Sequence, residues 1–235
     1  MSAWFLFNDP EIDVPSITTY QTKPGEIEEY QLEDGSLLIL GPLSELKISL
    51  ASDVRHAELA SGEAFFDVVS VPSRPFQVSM DSMLVQVTGT RFDVQSKGAL
   101  AQVSVQEGSV LVTRPVTLLA DLQMNSTVAL EAGQKVVSSE TKGFGEIAQI
   151  DPAKVAAWRR GQLDYEDVPL STIVHDLNRY QNKVINIRDA KAADLLLSAS
   201  FDSQDVDKVL QSLTEVLPLG IDQTDNGSVV LYSTQ

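Results

Sequence analysis

Val87-Thr88-Gly89-Thr90-Arg91-Phe92-Asp93-Val94 reads VTGTRFDV, a run of strand formers with one glycine set between two threonines. β-branched and aromatic residues suit a pleated surface, and a glycine inside such a run marks a turn, a bulge or the close approach of another backbone. The arrangement recurs on both sides. Asp34-Gly35-Ser36 leads into Leu37-Leu38-Ile39-Leu40, and Ser61-Gly62-Glu63 into Ala64-Phe65-Phe66-Asp67-Val68. Glu107-Gly108-Ser109 leads into Val110-Leu111-Val112, and Ala132-Gly133-Gln134 into Lys135-Val136-Val137. Gly35, Gly62, Gly89, Gly108 and Gly133 are therefore read as structural, each supplying backbone that a side chain would obstruct. Each following run supplies a short strand with alternating faces. Further breaks stand at Pro15, Pro24-Gly25, Gly41-Pro42, Pro72, Pro75 and Pro115, and helical periodicity is nearly absent. Residues 16–150 thus read as an all-β unit, either a solenoid or a sandwich.

The pattern then changes. Ser138-Ser139-Glu140-Thr141-Lys142-Gly143 is a polar loop, and Asp151-Pro152 combines a capping side chain with a proline suited to a first helical turn. The spacing predicts a linker helix over 151–161 that passes through Val155, Trp158 and Arg160 and stops at Gly161. Residues 162–235 then predict a compact α+β unit, small for independent stability. Leu163-Asp164-Tyr165 reads as a strand, and Leu170, Ile173, Val174 and Leu177 follow at helical spacing. Val184-Ile185-Asn186-Ile187 and Leu195 to Phe201 read as strands. Val206, Val209, Leu210 and Leu213 repeat the helical spacing, Gly220-Ile221-Asp222 is extended, and Asp225-Asn226-Gly227 is a hairpin turn before Ser228 to Tyr232. The order is β-α-β, β-α-β and a closing strand, so the chain as a whole is mainly β with an α+β end. Leu163, Leu170 and Leu177 fall seven apart, but the helical stripe reads as core: burying its four apolar side chains is worth at most about 6–12 kcal/mol.

Composition narrows the function. The chain of 235 residues has 17 basic and 33 acidic side chains, a net charge of −16. That field disfavours nucleic acid, and the densest basic groups, Lys154 with Arg159-Arg160 and Arg179 with Lys183, are too small to reverse it. Cysteine is absent, which removes thiol chemistry, cysteine-based zinc sites and disulfides. His56 and His175 are the two histidines, and neither has a partner at ligand spacing. No cofactor motif stands out: Gly143-Phe144-Gly145-Glu146-Ile147-Ala148 resembles a phosphate loop but runs straight into Asp151-Pro152. The stretch from Asp222 to Gly227 lacks the acidic residue that a calcium loop needs at its end. No catalytic motif is visible, and recognition is the expected role. Two rivals stay open. One is an extracellular glycan- or peptidoglycan-binding β-solenoid. The other is a hydrolase with carboxylates such as Glu63 and Asp67, which would need an acid pair about 5–10 Å apart in a cleft.

Taken together, Leu32-Glu33-Asp34-Gly35-Ser36, Gly62 to Val68, Pro75-Phe76-Gln77-Val78, Val87 to Phe92, Val103 to Val110 and Ala132-Gly133-Gln134 resemble the FecR family. Ala157-Trp158-Arg159-Arg160-Gly161-Gln162-Leu163 resembles that family's junction between domains, where Trp158 and Gly161 are structural, and Pro169-Leu170 with Asn178-Arg179-Tyr180 resembles its first C-terminal helix. The resemblance implies the periplasmic region of a single-pass inner-membrane anti-sigma factor of a Gram-negative bacterium. In that reading residues 1–15 are a juxtamembrane tail, with Trp4-Phe5-Leu6-Phe7 the end of a span. Residues 16–150 are a FecR-type, β-helix-like domain and residues 162–235 an STN-type domain. The implied partners are the periplasmic N-terminal signalling domain of a TonB-dependent outer-membrane transducer, usually a siderophore receptor, and periplasmic or membrane proteases. A sigma factor would be held by a cytoplasmic domain outside this chain. The expected contact is a strand edge, Val184, Ile185, Asn186 and Ile187 or Leu195, Leu197, Ala199 and Phe201, with His175 and Arg179 on an exposed helix face.

Overall fold

The computed structural model describes residues 16–81, 83–97, 100–114, 127–139, 142–224 and 227–234. The expected tail at 1–15 and residues 225–226 of the expected hairpin turn lie outside them.

The first part consists of β1 (Ile17–Gln21), β2 (Glu28–Gln31), β3 (Leu37–Leu40), β4 (Glu45–Leu50), β5 (Arg55–Asp67), β6 (Phe76–Met80), β7 (Met83–Val87), β8 (Arg91–Lys97), β9 (Leu100–Glu107), β10 (Ser109–Thr113), β11 (Thr127–Glu131), β12 (Gln134–Ser139), β13 (Gly143–Phe144) and β14 (Ala148–Gln149). They form one sheet, and β5 is its spine. The first half of β5, Arg55 to Ser61, pairs with β4 and β6. Its second half, Gly62 to Asp67, pairs with β3 and β8. One wing therefore runs β1-β4-β5-β6-β7-β10-β11, and the other runs β2-β3-β5-β8-β9-β12 with β13 and β14 beyond it. The wings curl over a single apolar core that takes Leu46, Val78, Val85 and Val112 from the first and Leu38, Phe66, Phe92 and Val103 from the second.

The recurring glycines sit where the chain changes wing. The chain leaves β3 for β4 at Gly41-Pro42, crosses within β5 at Gly62, and crosses again at Gly89, Gly108 and Gly133. Gly35 instead turns β2 back into β3. At Gly62 the backbone has φ +93°, and a Cβ would come within 2.6 Å of the Ser44 Cα. Gly89 has an ordinary φ, yet a Cβ there would stand 2.5 Å from the Ser70 Cβ and 2.7 Å from its Cα. Among the described residues, pairing in this sheet is antiparallel except between β5 and β6. The β-helix-like expectation therefore gives way to a curled antiparallel sheet: a solenoid stacks parallel coils, whereas these glycines turn the chain between two facing wings.

Residues 151–161 also depart from expectation. In place of one helix there are two 3₁₀ turns, Pro152–Lys154 and Ala157–Arg160. Asp151 caps the first through Ala153 N–H, as its identity suggests, and Gly161 closes the second in a left-handed conformation. Between them Val155 is extended and Ala156 left-handed, and both are buried, so tertiary packing overrides local helix propensity.

The C-terminal part contains β15 (Gln162–Pro169), α1 (Leu170–Leu177), β16 (Ile185–Ile187), α2 (Ala190–Ala193), β17 (Leu196–Asp202), α3 (Val206–Val216), β18 (Leu219–Gln223) and β19 (Val229–Ser233). The elements follow the expected order, with the short α2, capped by Asp189, as an addition. Their pairing is different. β15 pairs antiparallel with β17, while β16 joins β19 and β18 in a separate sheet. Two consecutive βαβ units with adjacent strands would pair β15 with β16 and β17 with β18; neither pair is formed. The apolar stripe of α1 is fully used in a second core with Val209, Leu210 and Leu213 of α3.

That second core crosses the junction. Phe65 of β5 belongs to it and Ile39 of β3 packs against it. Alternation explains this: Ala64 and Phe66 point between the wings, so Phe65 points out of the second wing toward Arg159 and the C-terminal part. No strand pairing crosses the junction among the described residues.

Candidate functional site

The junction is polar as well as apolar. Glu63, on the same face of β5 as Phe65, is buried, and so are Asp176, Arg179, Tyr165 and Tyr180. α1 ends at Leu177 with Asn178 as its cap, which turns Arg179 and Tyr180 toward the first part. The Arg179 guanidinium lies 3.1 Å from Glu63 Oε1 and 3.1 Å from Asp176 Oδ1. It also donates to the Pro42 carbonyl at 2.8 Å from Nη2. Tyr165 donates to Asp176 at 2.9 Å, and the Tyr180 hydroxyl donates to Glu63. The Gly25 N–H donates to the Arg179 carbonyl at 2.9 Å. Two carboxylates and one guanidinium thus meet in a low-dielectric setting with two phenols donating.

The electrostatics follow. Burial opposes the Arg179 charge, but Glu63 and Asp176 more than offset it and hold its pKa above the ordinary range. Burial, then the negative charges of Glu63 and Asp176, push the Tyr180 phenol far up, and burial followed by Asp176 does the same to Tyr165. Both phenols remain donors at any physiological pH. A second clasp stands beside this one: Trp158 Nε1 donates to Asp93 Oδ1 at 2.8 Å, and Gln95 Nε2 donates to Asp93 Oδ2 at 2.7 Å. Arg159 lies with its guanidinium carbon 3.6 Å from the centre of the Phe65 ring, and burial lowers its pKa.

The residues expected to meet a partner are placed unevenly. His175 is exposed on α1, but Arg179, expected on the same surface, is buried in the clasp. Its charge reads as a solvent-facing residue until Glu63, far away in sequence, is brought beside it. Val184 is exposed and Ile185 buried. Asn186 is exposed and Ile187 half-buried. β16 is an edge strand, yet the Asn178 side chain occupies the outward groups of Ile185, accepting from its N–H at 2.8 Å and donating to its carbonyl at 2.9 Å. A side chain that mimics a neighbouring strand blunts that edge. Leu195, just before β17, and Leu197, Ala199 and Phe201 on it are half-buried. The outward residues, which the sequence reading passed over, are Leu196, 55% exposed, with Ser198, Ser200 and Asp202. β17 pairs with β15 on one side, and no strand pairs with its other side among the described residues.

Glu63 and Asp67 do not form an acid pair in a cleft. Glu63 is held by Arg179 and Tyr180, and Asp67 lies at the surface 3.1 Å from Arg91.

Comparison with known proteins fits this two-part build. The model for the FecR protein matches residues 18–111, and the model for the FecR C-terminal region matches residues 162–231. This chain belongs to the FecR family. Two crystal structures of a putative anti-sigma factor from Parabacteroides distasonis ATCC 8503, at 2.50 and 1.65 Å, share its fold. The first superposes with a TM-score of 0.82 at 26% identity over 94% of this chain and 100% of the other. The second gives 0.81 at 26% identity over 93% and 100%. No curated protein matches the chain. FecR proteins are regulators, membrane-anchored sensors with a periplasmic region, and the anti-sigma role implies interaction with a sigma factor. In this FecR chain no helix among the described residues is long and apolar enough to cross a membrane. The clasp lies where the two family regions meet, with Glu63 in the first and Asp176, Arg179 and Tyr180 in the second.

Proposed function

We propose that this chain is the periplasmic signalling region of an inner-membrane anti-sigma factor, that it receives its signal from the N-terminal domain of a TonB-dependent outer-membrane transducer, and that it thereby controls an extracytoplasmic-function sigma factor. The observation that carries the reading is the open edge of β17 in a FecR C-terminal region that is clasped to the FecR sheet through Arg179. A partner strand added at that edge gains main-chain hydrogen bonds, and the exposed Leu196 and the serines beside it supply side-chain contacts. Binding shifts the chain between states only by its differential affinity for them. The clasp is the element through which a displacement of the C-terminal region reaches the first part. Proteases acting near the membrane and release of the sigma factor follow downstream.

The test is calorimetry of the whole chain against the isolated N-terminal signalling domain of a TonB-dependent transducer from the same organism. Binding is expected, and Leu196→Asp is expected to weaken it about tenfold or more, as loss of an interface anchor does. Val184→Asp, on the edge that Asn178 blunts, is expected to change it little. Absence of binding by the native chain refutes the transducer reading. Binding that is indifferent to Leu196 but sensitive to Val184 moves the contact to β16.

A further inference from the structure

A cleft of about 740 Å³ separates the outer face of the second wing from the C-terminal part. Its size lies within the usual range for ligand sites, about 300–1,000 Å³. Three independent features of it point to one class of occupant.

The first is backbone. Residues 162–166, five in a row, border the cleft, so it runs along β15 for about 17 Å at 3.4 Å per residue. β15 pairs only with β17 among the described residues, and its second edge carries no strand. The second is charge. Among the described residues, six carboxylates border the cleft, and the only cations that do so are Lys135 and Lys154. Glu63, Asp93 and Asp176 are engaged in the two clasps, whereas Asp164 and Glu166, two residues apart on β15, are both exposed, Glu166 at the start of the bulge before Val168. The third is a buried polar group. Gln95 at the cleft wall is only 7% exposed, its Nε2 is committed to Asp93, and its Oε1 has no hydrogen-bond partner among the described residues. A buried acceptor left without a donor is unfavourable, and a donor-rich ligand relieves it.

We propose that this cleft binds an extended peptide segment of a partner protein that carries lysine or arginine at alternate positions, and that the segment adds as a strand to the free edge of β15. Main-chain hydrogen bonds along β15 hold the segment, its basic side chains meet Asp164 and Glu166, and a donor group satisfies Gln95. The site lies on the opposite edge of the two-stranded sheet from the outer edge of β17. It does not depend on the transducer reading, and either can fail without the other.

The chain has two tryptophans, so Trp4→Phe leaves Trp158, which lines the cleft, as the single fluorescent reporter. The probe is an eight-residue, end-capped peptide alternating lysine and threonine, titrated at about 0.15 M salt, where exposed charges are screened beyond about 8 Å. Saturable quenching or enhancement of Trp158 is expected, with a matching calorimetric isotherm. Asp164→Asn with Glu166→Gln is expected to weaken binding about tenfold, the combined effect of two ion pairs. Glu28→Gln with Glu29→Gln, the same charge change on β2, whose residues do not line the cleft, is expected to leave affinity within about twofold. No saturable response, equal binding of the peptide alternating glutamate and threonine, or equal weakening by the β2 pair overturns the proposal. Spermidine binding as tightly as the peptide also overturns it, since a free polyamine cannot use the strand edge.

Discussion

Arg55 and Arg179 are both buried, and each meets a carboxylate at ion-pair distance, 2.8 Å to Asp34 and 3.1 Å to Glu63. What they hold together differs. Arg55 works inside one layer: it also donates to the Arg74 and Val69 carbonyls and so pins the turn after β2 and the segment after β5 to the start of β5. Arg179 works between layers, tying the end of α1 to Glu63 and to the Pro42 carbonyl. The remaining partners differ too. Without Arg55, Asp34 keeps the Ser36 N–H and hydroxyl. Without Arg179, two carboxylates remain close together in the interior, each keeping a phenol donor but losing the guanidinium charge. The same residue type thus has a local structural role in one place and couples two parts of the molecule in the other.

That contrast sets the size of the effects. Arg179→Ala is expected to destabilise the chain most, by about 3–5 kcal/mol, because it leaves uncompensated buried charge. Arg55→Ala falls at or below the low end of that range. Urea unfolding followed at Trp158, which reports on the junction, should lose cooperativity with Arg179→Ala and keep it with Arg55→Ala. Equal losses and identical transitions would erase the distinction between an inner and a coupling arginine.

Gly89→Val is smaller, about 1–3 kcal/mol, the cost of forcing atoms into a packed position against Ser70. Calorimetric melting should show a lowered Tm for this variant, with transducer affinity unchanged in the fraction that remains folded. A native Tm accompanied by lost binding would make VTGTRFDV a recognition element and sharpen the comparison in the other direction.

The smallest effect is in pH dependence. Burial raises the pKa of Asp34, but hydrogen bonds from Arg55 and Ser36 outweigh it and hold the carboxyl below its ordinary 3.8. A carboxyl whose pKa is depressed on folding stabilises the native state above its unfolded pKa, and the contribution is lost as pH falls through the folded value. Stability is therefore expected to decline from about pH 4 downward, and Asp34→Asn should make that acid limb shallower in a series of urea midpoints. An unchanged slope would show that Arg55 does not bias the titration of its partner.

How far the sequence could be read depends on range. The strand runs, the glycine corners, the Asp151 cap, the Gly161 stop and the apolar stripe of α1 are local patterns, and each appears where its residues place it. Even the two-sided burial of β5 has a trace in sequence: Ala64-Phe65-Phe66 is continuously apolar, as a strand covered on both faces must be, whereas the mixed Arg55 to Ser61 is buried only at alternate positions up to Leu59. Strand partners had no such trace. The glycine repeat fits coils of a solenoid as well as corners between wings, and β15 carries nothing that favours β17 over β16. Leu195, Leu197, Ala199 and Phe201 were legible as alternating apolar positions, but alternation names the buried face, and the exposed face with Leu196 is its complement.

The clasp was the least legible feature. Glu63 stood out in the sequence only as a possible cleft carboxylate and Arg179 only as a surface contact, and the Asp176–Arg179 spacing is that of any exposed helical pair. By itself the sequence determined most of the strands, the two longer helices and the family, because backbone preference and amphipathic period are set within a few residues. Only the tertiary structure decided which strands pair, which edges stay open and which charges are buried, because those depend on contacts between residues far apart in the chain, and no local preference encodes them.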